Sequence, residues 1–289
     1  MEFLDITVVV VIGIAVIAWT CWSGIFKRRY REKYTLEGLS EERRKIVHEI
    51  PLCRRLPDDL KEKLYGKIAI FLHEKEFDGC DGQEITEEVR VTVAALACLL
   101  ILNNETDFYP KLRTVVVHPH AYCADHQVLI GGQVVEEEDV VKLGESWGSG
   151  SLVLSWTDTL ADARRQHGRH NVVLHEFAHQ LDQLDGVANG TPTLASKEDY
   201  ERWEQVMAQE FQKLQRKVKN REYHVIDEYG AENRVEFFAV VTESFFCSPA
   251  IVRETHPDMY RELAKYYKLD PQEWEAAEPA HAINTEPAA

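Results

Sequence analysis

Hydrophobic and polar positions change their spacing several times along the 289-residue chain. From Ile6 to Phe26 the run is continuous, 21 residues without a charge, which is long enough to span a bilayer as a helix. Between Ile46 and Tyr65 apolar residues return every three or four positions (Val47, Ile50, Leu52, Leu56, Leu60, Leu64), broken by Pro51 and Pro57. That spacing predicts two short helices. Thr86, Glu87 and Glu88 then form a helix-opening signal ahead of an apolar stretch ending at Leu102. It predicts a buried helix, too short and too charged at Arg90 for a second membrane span.

The middle of the chain is rich in β-branched residues. LRTVVVH (112–118), QVLIGGQVVEEEDVV and GSLVLSW, punctuated by glycines, predict strands and hairpins, the last closed by SWTDTL at 155–160. Helical spacing returns in NVVLHEFAHQLDQLDG (171–186), in the face formed by Trp203, Val206, Met207, Phe211, Leu214 and Val218, and in EYGAENRVEFFAVVTESFF (228–246). Helices on either side of a strand-rich middle predict an α+β domain, a small mixed sheet packed on helices. The expected organisation is an anchor at 1–26, a basic juxtamembrane linker at 27–45, the main domain at 46–275 and a flexible tail at 276–289.

Charge narrows the partners. A formal net charge of −16 and a pI near 5.2 argue against nucleic acid, whose phosphates call for a basic face. Lys27, Arg28, Arg29, Arg31 and Lys33 follow the apolar run, whereas only Glu2 and Asp5 carry charged side chains before it. By the positive-inside rule this predicts a single-pass protein of the inner (cytoplasmic) membrane, N-terminus outside and main domain in the cytoplasm. A cleaved signal peptide would place the basic cluster before the run. The six cysteines form no CxxC pair, so neither a disulfide framework nor a thiolate zinc site is indicated; Cys53, Cys98 and Cys247 read as core fillers. The cluster Arg164, Arg165, His167, Arg169, His170 reads as a solvated loop or helix face.

The candidate chemistry lies in HEFAH. On a helix, His175 and His179 stand one turn apart on one face, so both can offer a ring nitrogen to one zinc ion. Glu176, beside the first histidine, is placed to act as general base toward a water activated by the metal. Two histidines and a glutamate in an apolar helix are costly to bury unless something pairs them. A catalytic zinc needs a third protein ligand, and two candidates share one face of the later apolar helix, Glu236 and Glu243, seven positions apart. Spacing leaves the choice between them open. Asp182, three residues after His179, falls near the metal-binding face, where it would bond a histidine or serve the helix end.

HEFAHQLD followed by YGAENRVEFFAVVTESFF resembles the Mlc titration factor family of bacterial zinc peptidases, glucose-regulated metallopeptidases of the HExxH gluzincin type. Over the same two motifs the chain is also similar to the catalytic domain of anthrax lethal factor. With the first family the likeness extends over about residues 45–270, including YPKLRTVVVHP and LVLSWTDTL. The resemblance implies a zincin-like domain, Glu236 as third zinc ligand, and Glu243 as a second-shell carboxylate orienting a ligand histidine. It further implies Tyr229 as hydrogen-bond donor to the oxyanion, with Tyr223 the less favoured alternative. A peptide or protein is the implied substrate, and Leu152–Trp156 is a candidate edge strand for aligning it. The family name implies a second role, a membrane-tethered binding protein that sequesters a partner such as a transcriptional repressor, with weak or latent peptidase activity. The anchor departs from the soluble members of the family.

Overall fold

The computed structural model describes residues 19, 22, 24–104, 107–120, 150–166 and 168–275, together with the backbone of short strands between 122 and 147. Most of the apolar run from Ile6 and the tail at 276–289 lie outside the described residues. Among the described residues no single helix is long and apolar enough to cross a membrane.

The chain opens with helix α1 (24–37), α2 (Glu41–His48), α3 (Pro51–Arg54) and α4 (Asp58–Glu74), then strand β1 (Glu76–Gly79) and helix α5 (Glu87–Leu100). Where two short helices were expected between 46 and 65 there are parts of three. Pro51 occupies the first turn of α3 and Pro57 the N-cap of α4, so each proline starts a helix, where its missing N–H costs nothing. α5 follows its sequence signal closely. Thr86 caps it by accepting from the Val89 amide, and Val91 to Leu102 are buried throughout.

The strand-rich middle gives β2 (Thr114–His118), β3 (Tyr122–Cys123), β4 (Gln127–Ile130), β5 (Gln133–Glu136), β6 (Val141–Lys142), β7 (Gly144–Trp147) and β8 (Ser151–Ser155). β1, β2 and β8 run parallel, β7 pairs antiparallel with β8, and the sheet order is β1-β2-β8-β7. β4 and β5 form the expected hairpin. One expectation fails here. β8 is interior, bonded on both sides, so residues 152–156 offer no edge for a peptide. SWTDTL does end the strand, at Ser155, but goes on as a helix that was not expected: Ser155 accepts from the Asp158 amide and caps helix α6 (Trp156–Arg164), a cap outweighing the strand preference of tryptophan and threonine.

Helix α7 (Val172–Asp182) then crosses the core, packed on α5, on β7 and on helix α9 (Arg234–Cys247). Between them runs the 24-residue amphipathic α8 (Lys197–Asn220), which buries Trp203, Val206, Met207 and Leu214. α10 (Pro249–Thr255), α11 (Pro257–Tyr267) and α12 (Pro271–Glu275) complete the fold. Cys53 and Cys98 are buried in the core as expected.

Residues 27–45 are fastened to this body. The Arg31 guanidinium grips both carboxylate oxygens of Glu74 at 2.6 and 2.9 Å, reaches Asp107 Oδ1 at 2.6 Å and lies 4.7 Å from the Phe108 ring centre. Tyr30 donates to Glu74 at 2.6 Å and Lys27 to Asp107 at 3.0 Å. Burial opposes ionisation of Glu74, but the hydrogen bonds from Arg31 and Tyr30 prevail and hold its pKa below the usual carboxylate value.

Candidate metal centre

The site is built where α7 crosses α9. Asn171 caps α7, its side chain accepting from the Leu174 amide at 3.0 Å. Apolar residues bury almost the whole helix, and His175, Glu176 and His179 lie in its first two turns. α9 starts at Asn233, whose side chain accepts from the Val235 and Glu236 amides at 2.9 and 3.0 Å. That cap sets Glu236 in the first turn, where the helix dipole favours a carboxylate.

His175 Nε2, His179 Nε2 and Glu236 Oε2 converge. The histidine nitrogens are 3.1 Å apart, and Glu236 Oε2 lies 3.1 Å from the first and 3.5 Å from the second. Among the described residues this is the one group of three or more such donors close enough to hold a metal ion. Tetrahedral zinc, with bonds of about 2.0–2.1 Å, sets its ligands about 3.3 Å apart, and the three spacings match. Two facing ring nitrogens beside one carboxylate also share their protons poorly, and the buried His179 Nδ1 has no hydrogen-bond partner among the described residues. A divalent cation suits this donor set.

The other α9 carboxylate also reaches this cluster. Glu243 Oε1 stands 2.7 Å from His175 Nδ1, and its Oε2 accepts from the Asn171 amide at 2.6 Å. A carboxylate on Nδ1 fixes the tautomer that turns Nε2 toward the metal position. Glu236 and Glu243 therefore hold one imidazole from opposite sides. Without a metal, burial opposes charge on His175, but its bonds to Glu236 and Glu243 overcome this and hold its pKa well above the usual histidine value. Burial likewise opposes ionisation of Glu236, and the two histidines reverse it, holding its pKa far below the usual range.

Glu176 is buried, and its charge reaches both His175 and Tyr229. The Tyr229 ring lies 5.9 Å from that of His175, and its phenol lies within electrostatic reach of Glu236. Burial, then the nearby Glu236 charge, pushes the Tyr229 pKa well above the usual tyrosine value, so the phenol keeps its proton. Tyr223 is 79% exposed and has no place in the cluster. Asp182 bonds neither histidine. Fully buried at the end of α7, it accepts from the Gly190 and Thr191 amides at 2.9 and 2.8 Å, which is the helix-end role. It pins a loop that packs on α9: a Cβ on Gly190, at φ +77°, would lie 2.1 Å from the Arg234 carbonyl oxygen. Lys111 supports the same helix end by donating to the Gln183 carbonyl.

Two contributors were not singled out from the sequence, and a third, His170, was read there as part of a solvated face. Asn171 is a helix cap whose signal, an asparagine just before an apolar periodic run, was available. His170 and Asp227 touch each other and the site's edge, with Nε2 3.1 Å from Oδ2. Position alone marks them, one beside the cap of the metal helix and the other two residues before Tyr229.

A sequence profile of the glucose-regulated metallo-peptidase M90 family matches residues 26–268. An uncharacterised protein of Synechocystis sp. is 44% identical over 223 residues, 77% of this chain and 81% of that one. Proteins named Mlc titration factor A from Cronobacter sakazakii and Klebsiella pneumoniae are each 29% identical over 225 residues, 77% of this chain and 84% of theirs.

Proposed function

The chain belongs to the glucose-regulated metallo-peptidase M90 family, and from that premise we propose that it is a zinc peptidase of the HExxH…E gluzincin type with a zincin-like domain. The observation that carries this reading is the convergence of His175, His179 and Glu236 at spacings a single zinc ion would set. Zinc bound there supplies Lewis acidity, polarising a scissile carbonyl and lowering the pKa of water beside it. Glu176, next to the ligands and outside the triad, takes the proton from the attacking water and returns it to the leaving amine. Tyr229, protonated and beside Glu236, donates to the oxyanion. Glu243 orients His175.

Sequence supports tethering of this activity to the inner membrane through Ile6–Phe26, with the catalytic body in the cytoplasm. Exposed Trp19, Trp22 and Phe26 just before the Lys27–Arg29 cluster fit an interfacial aromatic belt followed by headgroup-facing cations. The relatives named Mlc titration factor A favour a second role on the same body, binding a regulatory protein.

The test is hydrolysis of a mixed peptide library by the wild-type protein and by Glu176→Gln, with zinc assayed in both. The reading requires zinc in both proteins and cleavage by the wild type alone, abolished by a chelator. Cleavage by Glu176→Gln would remove the general base and with it this mechanism.

A further inference from the structure

Tyr229 stands in a short 3-10 turn, Glu228–Ala231, capped by Asp227. Asp227 Oδ1 accepts from the Tyr229 amide at 2.9 Å, and Oδ2 lies 3.1 Å from His170 Nε2. His170 directly precedes Asn171, the cap of α7, and its Nδ1 is 3.8 Å from Glu243 Oε2. Glu243 is the carboxylate that holds His175. Arg169 reinforces the approach by donating from Nη1 to the Val225 carbonyl at 3.0 Å. On its other side the turn rests on α8 and α9 through Gly230, where a Cβ would meet Val240 at 3.3 Å and Leu214 at 3.4 Å. The backbone of Tyr229 is thus held between the α8–α9 surface and residues 169–170 at the start of the metal helix.

We propose that His170 and Asp227 are positioning residues, a latch that fixes the Tyr229 phenol against the metal ligands. The inference rests on the peptidase reading for its kinetic consequence and on geometry for the latch itself. Both residues are partly exposed, at 52% and 27% of their side chains, so neither is a core residue whose loss would unfold the domain. The bond from His170 outweighs burial and pulls the Asp227 pKa down to about 2, so Asp227 is the acceptor in this contact. A phenol that must meet a developing charge gains from a turn that does not reorganise, since donors set in advance cost nothing at the moment of reaction.

The full-length zinc-loaded protein is compared with His170→Ala, Asp227→Ala, Asp227→Asn, Tyr229→Phe and His170→Ala/Tyr229→Phe. Steady-state peptide hydrolysis and zinc content are measured on each, and amide hydrogen exchange on the metal-free forms. The latch predicts that His170→Ala and Asp227→Ala lower kcat about ten- to a hundredfold with little change in KM, because the lost interaction acts in the transition state. Zinc stays at one per chain. Asp227→Asn, which keeps a cap acceptor, recovers part of the loss, and the double variant falls no lower than Tyr229→Phe. Exchange over residues 225–231 quickens about tenfold in His170→Ala and Asp227→Ala while α7 and α9 keep their protection. Wild-type exchange and kcat in His170→Ala overturn the proposal. So does loss of zinc, which would place the effect at Glu243 and the ligands. If the wild type cleaves nothing, the peptidase reading falls, and exchange over 225–231 still decides whether the latch exists.

Discussion

Glu236 and Glu243 share one face of α9, two turns apart, and press on the same imidazole, yet their settings give them different work. Glu236 sits in the first turn, under the Asn233 cap, and faces the Nε2 atoms of both histidines. Glu243 is 3% exposed in the body of the helix; its Oε1 meets His175 Nδ1, while its Oε2 accepts from the Asn171 amide and lies 3.8 Å from His170 Nδ1. Residue type and helix are the same, so the role follows from which nitrogen each carboxylate reaches and how many donors it already satisfies. A carboxylate facing two converging lone pairs is available to a metal; one saturated by an N–H and a ring nitrogen orients its neighbour.

This contrast is broken most severely at Glu236. Glu236→Ala removes a proposed ligand, and its zinc affinity is expected to drop by well over about a hundredfold, more than loss of an outer partner; equilibrium dialysis reads the loss. Glu243→Gln leaves all three ligands and is expected to cost about 10–100-fold in affinity, measured by competition with a chelator of known strength. An equal loss in the two variants would erase the distinction. Gly190→Ala tests the scaffold beneath both carboxylates: its left-handed backbone alone costs about 1–3 kcal/mol, and the contact with Arg234 adds to that. Thermal unfolding should fall accordingly, and an unchanged melting temperature would mean the loop is not packed on α9 as described.

The smallest effect lies far from the candidate site, at the α1 clamp. The Glu74 pKa is lowered in the folded protein, so its contribution to stability is present above the ordinary carboxylate value and is lost as pH falls through the folded one. Arg31→Ala should therefore lose stability at neutral pH and show a shallower acid dependence below about pH 4.5, followed by chemical denaturation across pH. An unchanged acid limb would mean the ion pair contributes nothing beyond packing.

The sequence shows α5 and α7 readily, because each couples a helix-opening residue to a long apolar period. The candidate site was legible to the same extent: His175, Glu176 and His179 follow from one helical turn, and the two α9 glutamates from a shared face. Choosing Glu236 required the family resemblance, since spacing does not say which carboxylate meets Nε2. The sheet order was beyond reach, because the burial of β8 between β2 and β7 depends on long-range pairing that its own residues do not encode. α6 was missed because its tryptophan and threonines mimic a strand end, and His170 because a polar residue in a basic stretch looks solvated until its partner at 227 is placed beside it.

Zinc stoichiometry of three purified proteins, wild type, Glu236→Ala and Glu243→Ala, each saturated with zinc and then freed of excess, tests the central claim most directly. The arrangement of α7 and α9 predicts one zinc per chain in the wild type, none in Glu236→Ala and one, more weakly held, in Glu243→Ala. Zinc retained by Glu236→Ala and lost from Glu243→Ala would contradict it, and would make the inner carboxylate the ligand.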